Sequence, residues 1–337
     1  MAVVMALVVT ACGGESRTSR RAATTIQIPS NGNTSSGNTS SGNTSTMATG
    51  APPARRAAHP KPAPTPPRTP SPPSYPRVLS AGLGAGGAGP HPVVTWRGRP
   101  AAWIAHLASG VTLLSIDQRL LELHLHSGTI DAGTAGWRYG PSVAGLERRR
   151  LVAAFNGGFR LSVGVGGFAS YGHVAVPLRD GLGSIVIYAD GTTNIGAWHA
   201  GVPAGGRPVA SVRQNLPLLL DHGRVASSVD CVSCWGATLG GVSDPARSAL
   251  GITAGGRLIW AGGEHLTVAQ LSGALAAAQV ARAVELDINP EWVAGYVYGH
   301  RGGQGPLAPI PIVDGQPGIP GQFLAPWSRD FFTVVAK

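Results

Sequence analysis

Leu151-Val152-Ala153-Ala154-Phe155-Asn156-Gly157-Gly158-Phe159 is the stretch on which the reading of this chain turns. Five apolar residues make a buried strand, and the amide and two glycines that follow bring it to a stop. Three further stretches share the design: Arg213-Gln214-Asn215-Leu216-Pro217, Arg247-Ser248-Ala249-Leu250-Gly251 and Leu286-Asp287-Ile288-Asn289-Pro290-Glu291-Trp292 each adjoin an apolar run and set polar groups at its end. Functional side chains concentrate where regular structure stops. From about Val93 the chain alternates short apolar runs with Gly, Asp and Asn, which predicts strands at 102–107, 111–114, 120–125, 151–155, 174–177, 184–188, 193–197, 249–253, 258–261, 283–286, 293–298 and 331–335. Asp190-Gly191 and Ala254-Gly255-Gly256 read as hairpin turns. One long helix is expected over 267–281, capped by Thr267, with Leu271, Leu275 and Ala278 as its apolar stripe. The fold class is therefore α+β, a strand-rich mixed sheet with few helices in a single domain over residues 81–337.

The 337 residues carry a net charge of +10, which raises the question of nucleic acid. Its location answers it. Residues 1–80 hold eight Lys/Arg against the single Glu15, whereas residues 81–337 hold eighteen against fifteen acids. The domain has no basic stripe interleaved with aromatics, so nucleic acid is excluded as a partner. The basic tail suits an anionic lipid surface or an anionic wall polymer.

Residues 1–12 end in Val9-Thr10-Ala11-Cys12, which looks like a lipoprotein signal with Cys12 as the acylated residue. The run lacks the positive residues that normally precede such a signal, which points to a start codon further upstream. Residues 13–80 form a spacer: Gly-Asn-Thr-Ser repeats over 32–46 are flexible, and a Pro-rich stretch over 52–76 is stiff. No later run reaches the ~18 apolar residues that span a bilayer. An exported protein, anchored to the outer face of the cell membrane or secreted, is expected. Cys231 and Cys234 then read as a disulfide, because no further Cys or His motif completes a zinc site.

Asn156, Gly157 and Gly158 can aim amides at a phosphate or sugar oxygen, the glycines permitting positive φ and close approach. They can equally be a plain strand exit. Arg247 offers a planar fork to a phosphodiester, and Arg213 does so less directly; the alternatives are a surface pair with Asp244 and a place on the sheet rim. Asp287 and Glu291 are two carboxylates near one strand end, as glycosyl transfer uses. His173 and His265 stand in loops beside apolar strands and can act as acids or phosphate donors, or be solvated. Trp292 and Trp235 can stack on a sugar or pack in the rim or core. His124 and His126 share one strand face and read as an exposed polar face in preference to a metal site.

Taken in order, the four strand-end stretches resemble the phosphodiester glycosidase family, over roughly residues 145–298. The family's Asn-Gly-Gly-Phe-Phe corresponds to Asn156–Arg160, with Arg160 in place of the second aromatic. Its Arg-Thr-Ala-Ile-Gly corresponds to Arg247–Gly251. Its Leu-Asp-Gly-Gly-Gly-Ser keeps Leu286 and Asp287 here, and then Ile288-Asn289-Pro290-Glu291-Trp292 replaces the glycines. The resemblance implies hydrolysis between a sugar's anomeric carbon and phosphate, in an envelope polysaccharide or glycosyl-phosphate substrate. Asp287, Glu291, Arg247 and Asn156 would be catalytic, with Gly157, Gly158, Arg213, His173, His265 and Trp292 binding substrate. The resemblance fixes no cofactor and leaves a divalent metal open. The alternative is a polysaccharide-binding module on the same fold without catalysis.

Overall fold

The computed structural model describes residues 75–83, 89–134, 136–236, 242, 244–300, 305–316, 319 and 321–337. Cys12, the repeats and nearly all of the Pro-rich stretch lie outside the described residues.

Strands dominate and are gathered into three sheets. The nine-stranded sheet runs, edge to edge, through Arg77–Val78, His91–Trp96, Arg99–His106, Thr112–Ile116, Leu258–Gly263, Arg247–Thr253, Val280–Glu285, Leu220–Asp221 and Arg224–Val225. A five-stranded sheet orders Thr193–Ala197, Gly183–Tyr188, Val209–Gln214, Phe168–Ser170 and His173–Val176. The other orders Leu307–Pro311, Gly295–His300, Leu151–Asn156, Phe331–Ala336 and Leu121–His126. The strand-rich α+β class is as read from the sequence. Its ladders between these strands, expected in a mixed sheet, are antiparallel. Arg77–Val78 pairs with His91–Trp96, so the fold reaches into the stretch assigned to the spacer.

Both hairpin signals hold. Thr193–Ala197 folds back on Gly183–Tyr188, and in the turn Asp190 Oδ1 accepts the Thr192 N–H at 2.9 Å while Gly191 takes φ 77°. Arg247–Thr253 folds back on Leu258–Gly263 around Gly256 at φ 78°. Several strands were missed, among them His91–Trp96, Phe168–Ser170 and Leu307–Pro311; the most consequential is Val209–Gln214, which mixes Ser, Arg and Gln into its run, yet is central in its sheet and buried from Ala210 onward.

Leu121, Leu123, Leu125, Phe155, Phe168, Ile185, Leu250 and Trp260 come from all three sheets and share one core. The long helix is Val268–Ala277, with Thr267 and Gln270 forming a reciprocal capping box. Leu271 and Leu275 bury against Ile259, Ala261 and Ala283 on the nine-stranded sheet, each burial contributing about 1.5–3 kcal/mol. The helix stops short of 281 because Gln279 turns the chain through φ 58° and Val280 already begins the next strand.

His124 and His126 are a correction. They do share the face opposite the three leucines, but that face is covered, and His126 is 1% exposed. The cover is a helix not anticipated from the sequence, Gly145–Arg150. Its Glu147 Oε1 lies 2.9 Å from His124 Nδ1 and 3.0 Å from His126 Nε2, and accepts the Thr333 hydroxyl at 2.7 Å.

Candidate functional site

Two sheets end together at the stretches that opened the reading. Arg247–Thr253 begins where its antiparallel partner Val280–Glu285 ends, with Ala249 opposite Glu285. Leu151–Asn156 of a five-stranded sheet ends beside them. Asn156 Nδ2 donates to Ser248 Oγ at 2.8 Å, and Ser248 Oγ donates to the Asp287 carbonyl at 2.9 Å. The Asp287 N–H in turn donates to the Gly157 carbonyl at 3.1 Å. Asn156 thus joins the two sheets, and its amide is spent on protein partners.

The two glycines serve close approach alone; neither takes a positive φ. A Cβ on Gly157 would run into the Asp330 carboxylate, and one on Gly158 would come within 2.8 Å of the Arg213 guanidinium carbon. That space is filled by a bidentate pair. Arg213 Nε donates to Asp330 Oδ2 at 2.8 Å and Nη2 to Oδ1 at 3.2 Å, while Nη2 and Nη1 also reach the carbonyls of Phe159 and Gln214, each at 2.5 Å. At 1% exposure Arg213 ties the glycine turn to the segment before Phe331–Ala336. It is a positioning residue here, occupied by protein acceptors.

Arg247 is 0% exposed, and so is its partner Glu285. Its Nη1 donates to Glu285 Oε1 at 2.7 Å and to the Trp235 carbonyl at 3.1 Å, and its Nε donates to the Leu266 carbonyl at 2.9 Å. Among the described residues, Arg247 Nη2 and Glu285 Oε2 have no hydrogen-bond partner. The surface pair with Asp244 is replaced by a buried one. Burial pushes the Glu285 carboxyl up to about 8 against the pull of Arg247, and the neighbouring Asp287 adds to the rise.

Asp287 is buried too. Its Oδ1 accepts the N–H groups of Ile288 and Asn289 at 2.8 and 3.0 Å, and its Oδ2 accepts Arg329 Nη2 at 2.8 Å. Burial raises its carboxyl, and Arg329 and the two N–H groups oppose the rise. Arg329 also donates from Nε to Asp131 Oδ2 and from Nη2 to the Gly158 carbonyl at 3.1 Å, with its guanidinium carbon 5.3 Å from the Trp292 ring centre. Trp292 packs edge-on to Trp327 at 5.7 Å.

Of the residues expected to act together, the structure gathers Asn156, Gly157, Gly158, Arg213, Arg247, Asp287 and Trp292. Glu291 is exposed, and the hydrogen bond described for it is its backbone N–H to Asn289 Oδ1. The second carboxylate beside Asp287 is Glu285, two residues earlier. His173 is exposed on the edge strand of the other five-stranded sheet, beside Trp137. His265 is exposed, next to the Leu266 whose carbonyl Arg247 holds. Trp235 is buried. The sequence reading missed Glu285, Ser248, Arg329, Asp330 and Asp131. A charge inside the apolar run Ala283–Leu286, and an Arg-Asp pair just before the run at Phe331, were the available signals. Cys231 and Cys234 are disulfide-linked in the turn that carries Trp235. Among the described residues no group of three or more His, Cys, Asp or Glu is arranged to hold a metal ion, and no helix is long and apolar enough to cross a membrane.

No family model matches the chain, and no curated protein matches it. Solved structures do. The catalytic domain of zebrafish N-acetylglucosamine-1-phosphodiester alpha-N-acetylglucosaminidase, auto-inhibited by its pro-peptide, is similar at 15% identity and TM-score 0.40, over 70% of this chain and 78% of that one. A hypothetical protein from Synechocystis is similar at 15% identity and TM-score 0.40, over 72% of this chain and 63% of that one. Both likenesses are distant, and neither carries an activity across.

Proposed function

We propose that this protein is a hydrolase that cleaves a glycosyl phosphodiester of the cell envelope between the sugar's anomeric carbon and the phosphate oxygen. One observation carries the reading: the buried Arg247–Glu285 pair keeps a donor, Arg247 Nη2, and an oxygen, Glu285 Oε2, without partners among the described residues, beside a second buried carboxyl at Asp287. The motif order read from the sequence supports the same reaction. A carboxyl held near 8 is protonated at neutral pH and can supply a proton.

Arg247 and Glu285 are 0% exposed, so in this scheme substrate enters only when the strand-end loops part; its phosphate then accepts from Arg247 Nη2, and Glu285 gives its proton to the oxygen that leaves the anomeric carbon. Asp287 stabilises the positive charge that develops at that carbon. Water adds there, its oxygen becomes the sugar hydroxyl, and its proton restores the acid. The products are a free sugar and a phosphate monoester. Trp292, with Arg329 against its ring, stands at the rim for the sugar face. The lipid anchor at Cys12 and the spacer would let the domain reach wall polymer from the outer membrane face.

The test is release of sugar from a synthetic glycosyl phosphodiester by the purified full-length chain. Asp287→Asn should lower turnover about a hundredfold or more, in line with loss of charge stabilisation or proton transfer, while substrate binding persists because the charge it answers forms only in the transition state. Tight binding of envelope glycan without any release would replace this reading by the binding module. Full activity in a folded Asp287→Asn variant would remove Asp287 from the site.

A further inference from the structure

We infer that Trp137, Arg138, Tyr139, Tyr171 and His173 form a binding surface for an anionic polysaccharide, apart from the strand-end network. The surface sits where the edge of a five-stranded sheet meets the loop that follows Leu121–His126. It does not depend on the hydrolase reading, since retention of a polymer needs no bond to break.

The first observation is Tyr171. Phe168–Ser170 and His173–Val176 are joined by a two-residue turn, with Ser170 paired to His173. Tyr171 and Gly172 both have positive φ, 47° and 84°. Such a turn favours Asn-Gly, and a bulky side chain at its first position is strained. Tyr171 stays 40% exposed, so its ring is not there to fill the core. Strain kept for an exposed aromatic ring points to recognition.

The surroundings define the ligand. Arg138 lies over the Tyr171 ring, its guanidinium carbon 4.8 Å from the centre, and 5.7 Å from that of Tyr139. The two tyrosine rings meet edge to face at 5.9 Å. Behind them the His124 ring stacks on Tyr139 at 4.2 Å and 15°, which fixes the plane of Tyr139 against the body of the domain. Trp137 is anchored by its indole N–H to the Ala132 carbonyl at 3.0 Å and sits edge-on to the exposed His173 at 5.9 Å. Planar rings offer stacking faces to the C–H face of a sugar, and Arg138 with His173 answers a phosphate or carboxylate on the chain. Single-stranded nucleic acid also stacks and carries charge, but it calls for a cationic track along its backbone. Residues 81–337 have eighteen Lys/Arg against fifteen acids, which favours the glycan.

The experiment measures binding of the full-length chain by affinity electrophoresis and calorimetry. The probes are dextran sulfate and polygalacturonate as anionic glycans, plain dextran as the neutral one, and oligothymidine. The anionic glycans should retard the protein more than dextran, with retardation falling as salt rises. Arg138→Ala should flatten that salt dependence. Tyr171→Ala should weaken binding about three- to tenfold, as expected for one lost aromatic and cation–π contact. Tyr171→Gly should weaken it equally while the thermal midpoint holds or rises, because Gly adopts φ 47° without strain. That pairing separates lost recognition from lost folding. Unchanged affinity in Tyr171→Gly and Arg138→Ala, or no retardation by either anionic glycan, would overturn the inference. Oligothymidine binding as tight as glycan binding would assign the surface to nucleic acid instead.

Discussion

Arg247 shows how a single side chain's role is set by burial. From sequence its fork was free to meet a phosphodiester; in the fold it is sealed, with Glu285 on Nη1 and main-chain carbonyls on Nη1 and Nε. Deleting it therefore does more than remove a substrate contact. Arg247→Ala leaves the Glu285 carboxyl and the carbonyls of Trp235 and Leu266 buried without their donor, and should cost about 1–3 kcal/mol for each group so stranded, read by urea unfolding. Replacing both partners, Arg247→Met with Glu285→Leu, should recover most of that loss, since a buried pair is often matched by apolar residues of similar volume. A double variant as unstable as Arg247→Ala would mean that the carbonyls of Trp235 and Leu266, not Glu285, make the arginine indispensable. Loss of turnover in Arg247→Ala alone is ambiguous, which is why Asp287→Asn, with Arg329 still held by Asp131, is the cleaner probe of catalysis.

Among the elements, the six-residue helix Gly145–Arg150 depends most on charge. It buries no residue completely, so Glu147 is its main tie to the strands Leu121–His126 and Phe331–Ala336. Burial would push Glu147 up, but hydrogen bonds from His124, His126 and Thr333 outweigh it and hold the carboxyl well below its ordinary 4.5. That stability is present above about pH 4.5 and is lost as pH falls. For His124 burial works downward, yet bonds to Glu122 and Glu147 prevail and raise it above its ordinary 6.5. Its contribution is complete below about pH 6.5 and is lost as pH rises through the raised value. Glu285, raised from 4.5 to about 8, loses stability in the same direction as pH rises between those values. The thermal midpoint should accordingly peak near pH 4.5, falling below it as Glu147 is protonated and above it first through Glu285 and then, past about pH 6.5, through His124 as well. Glu147→Gln should flatten the acid side and lower the midpoint at the peak. An acid limb as steep as in the wild type would show that the helix is held by something other than this carboxylate.

For the whole molecule, the tail and the domain answer to different physics. The proposed anchor rests on Val9-Thr10-Ala11-Cys12, and cells fed a fatty-acid analogue should label the protein through Cys12. Cys12→Ser should abolish the label; an exported wild type that stays unlabelled would refute anchoring.

The sequence by itself determined the strand-rich class, the two hairpin turns, the capped helix and the strand ends at which polar residues collect, because side-chain alternation, Gly-containing turns and capping boxes act over a few residues. Tertiary structure decided which charges pair. Arg213 and Asp330 are 117 residues apart, and Arg329 and Asp131 are 198 apart, so their meeting depends on which strands end side by side: strands of two sheets for the first pair, and the paired strands Leu121–His126 and Phe331–Ala336 of one sheet for the second. The same holds for His124 and His126: alternation placed them on one face, and only the distant Glu147 and Thr333 showed that face to be covered. Local pattern fixes periodicity and turns, whereas the partner of a buried charge is fixed by long-range topology, since burial in low dielectric forces each charge to take whatever opposite group the fold brings within reach.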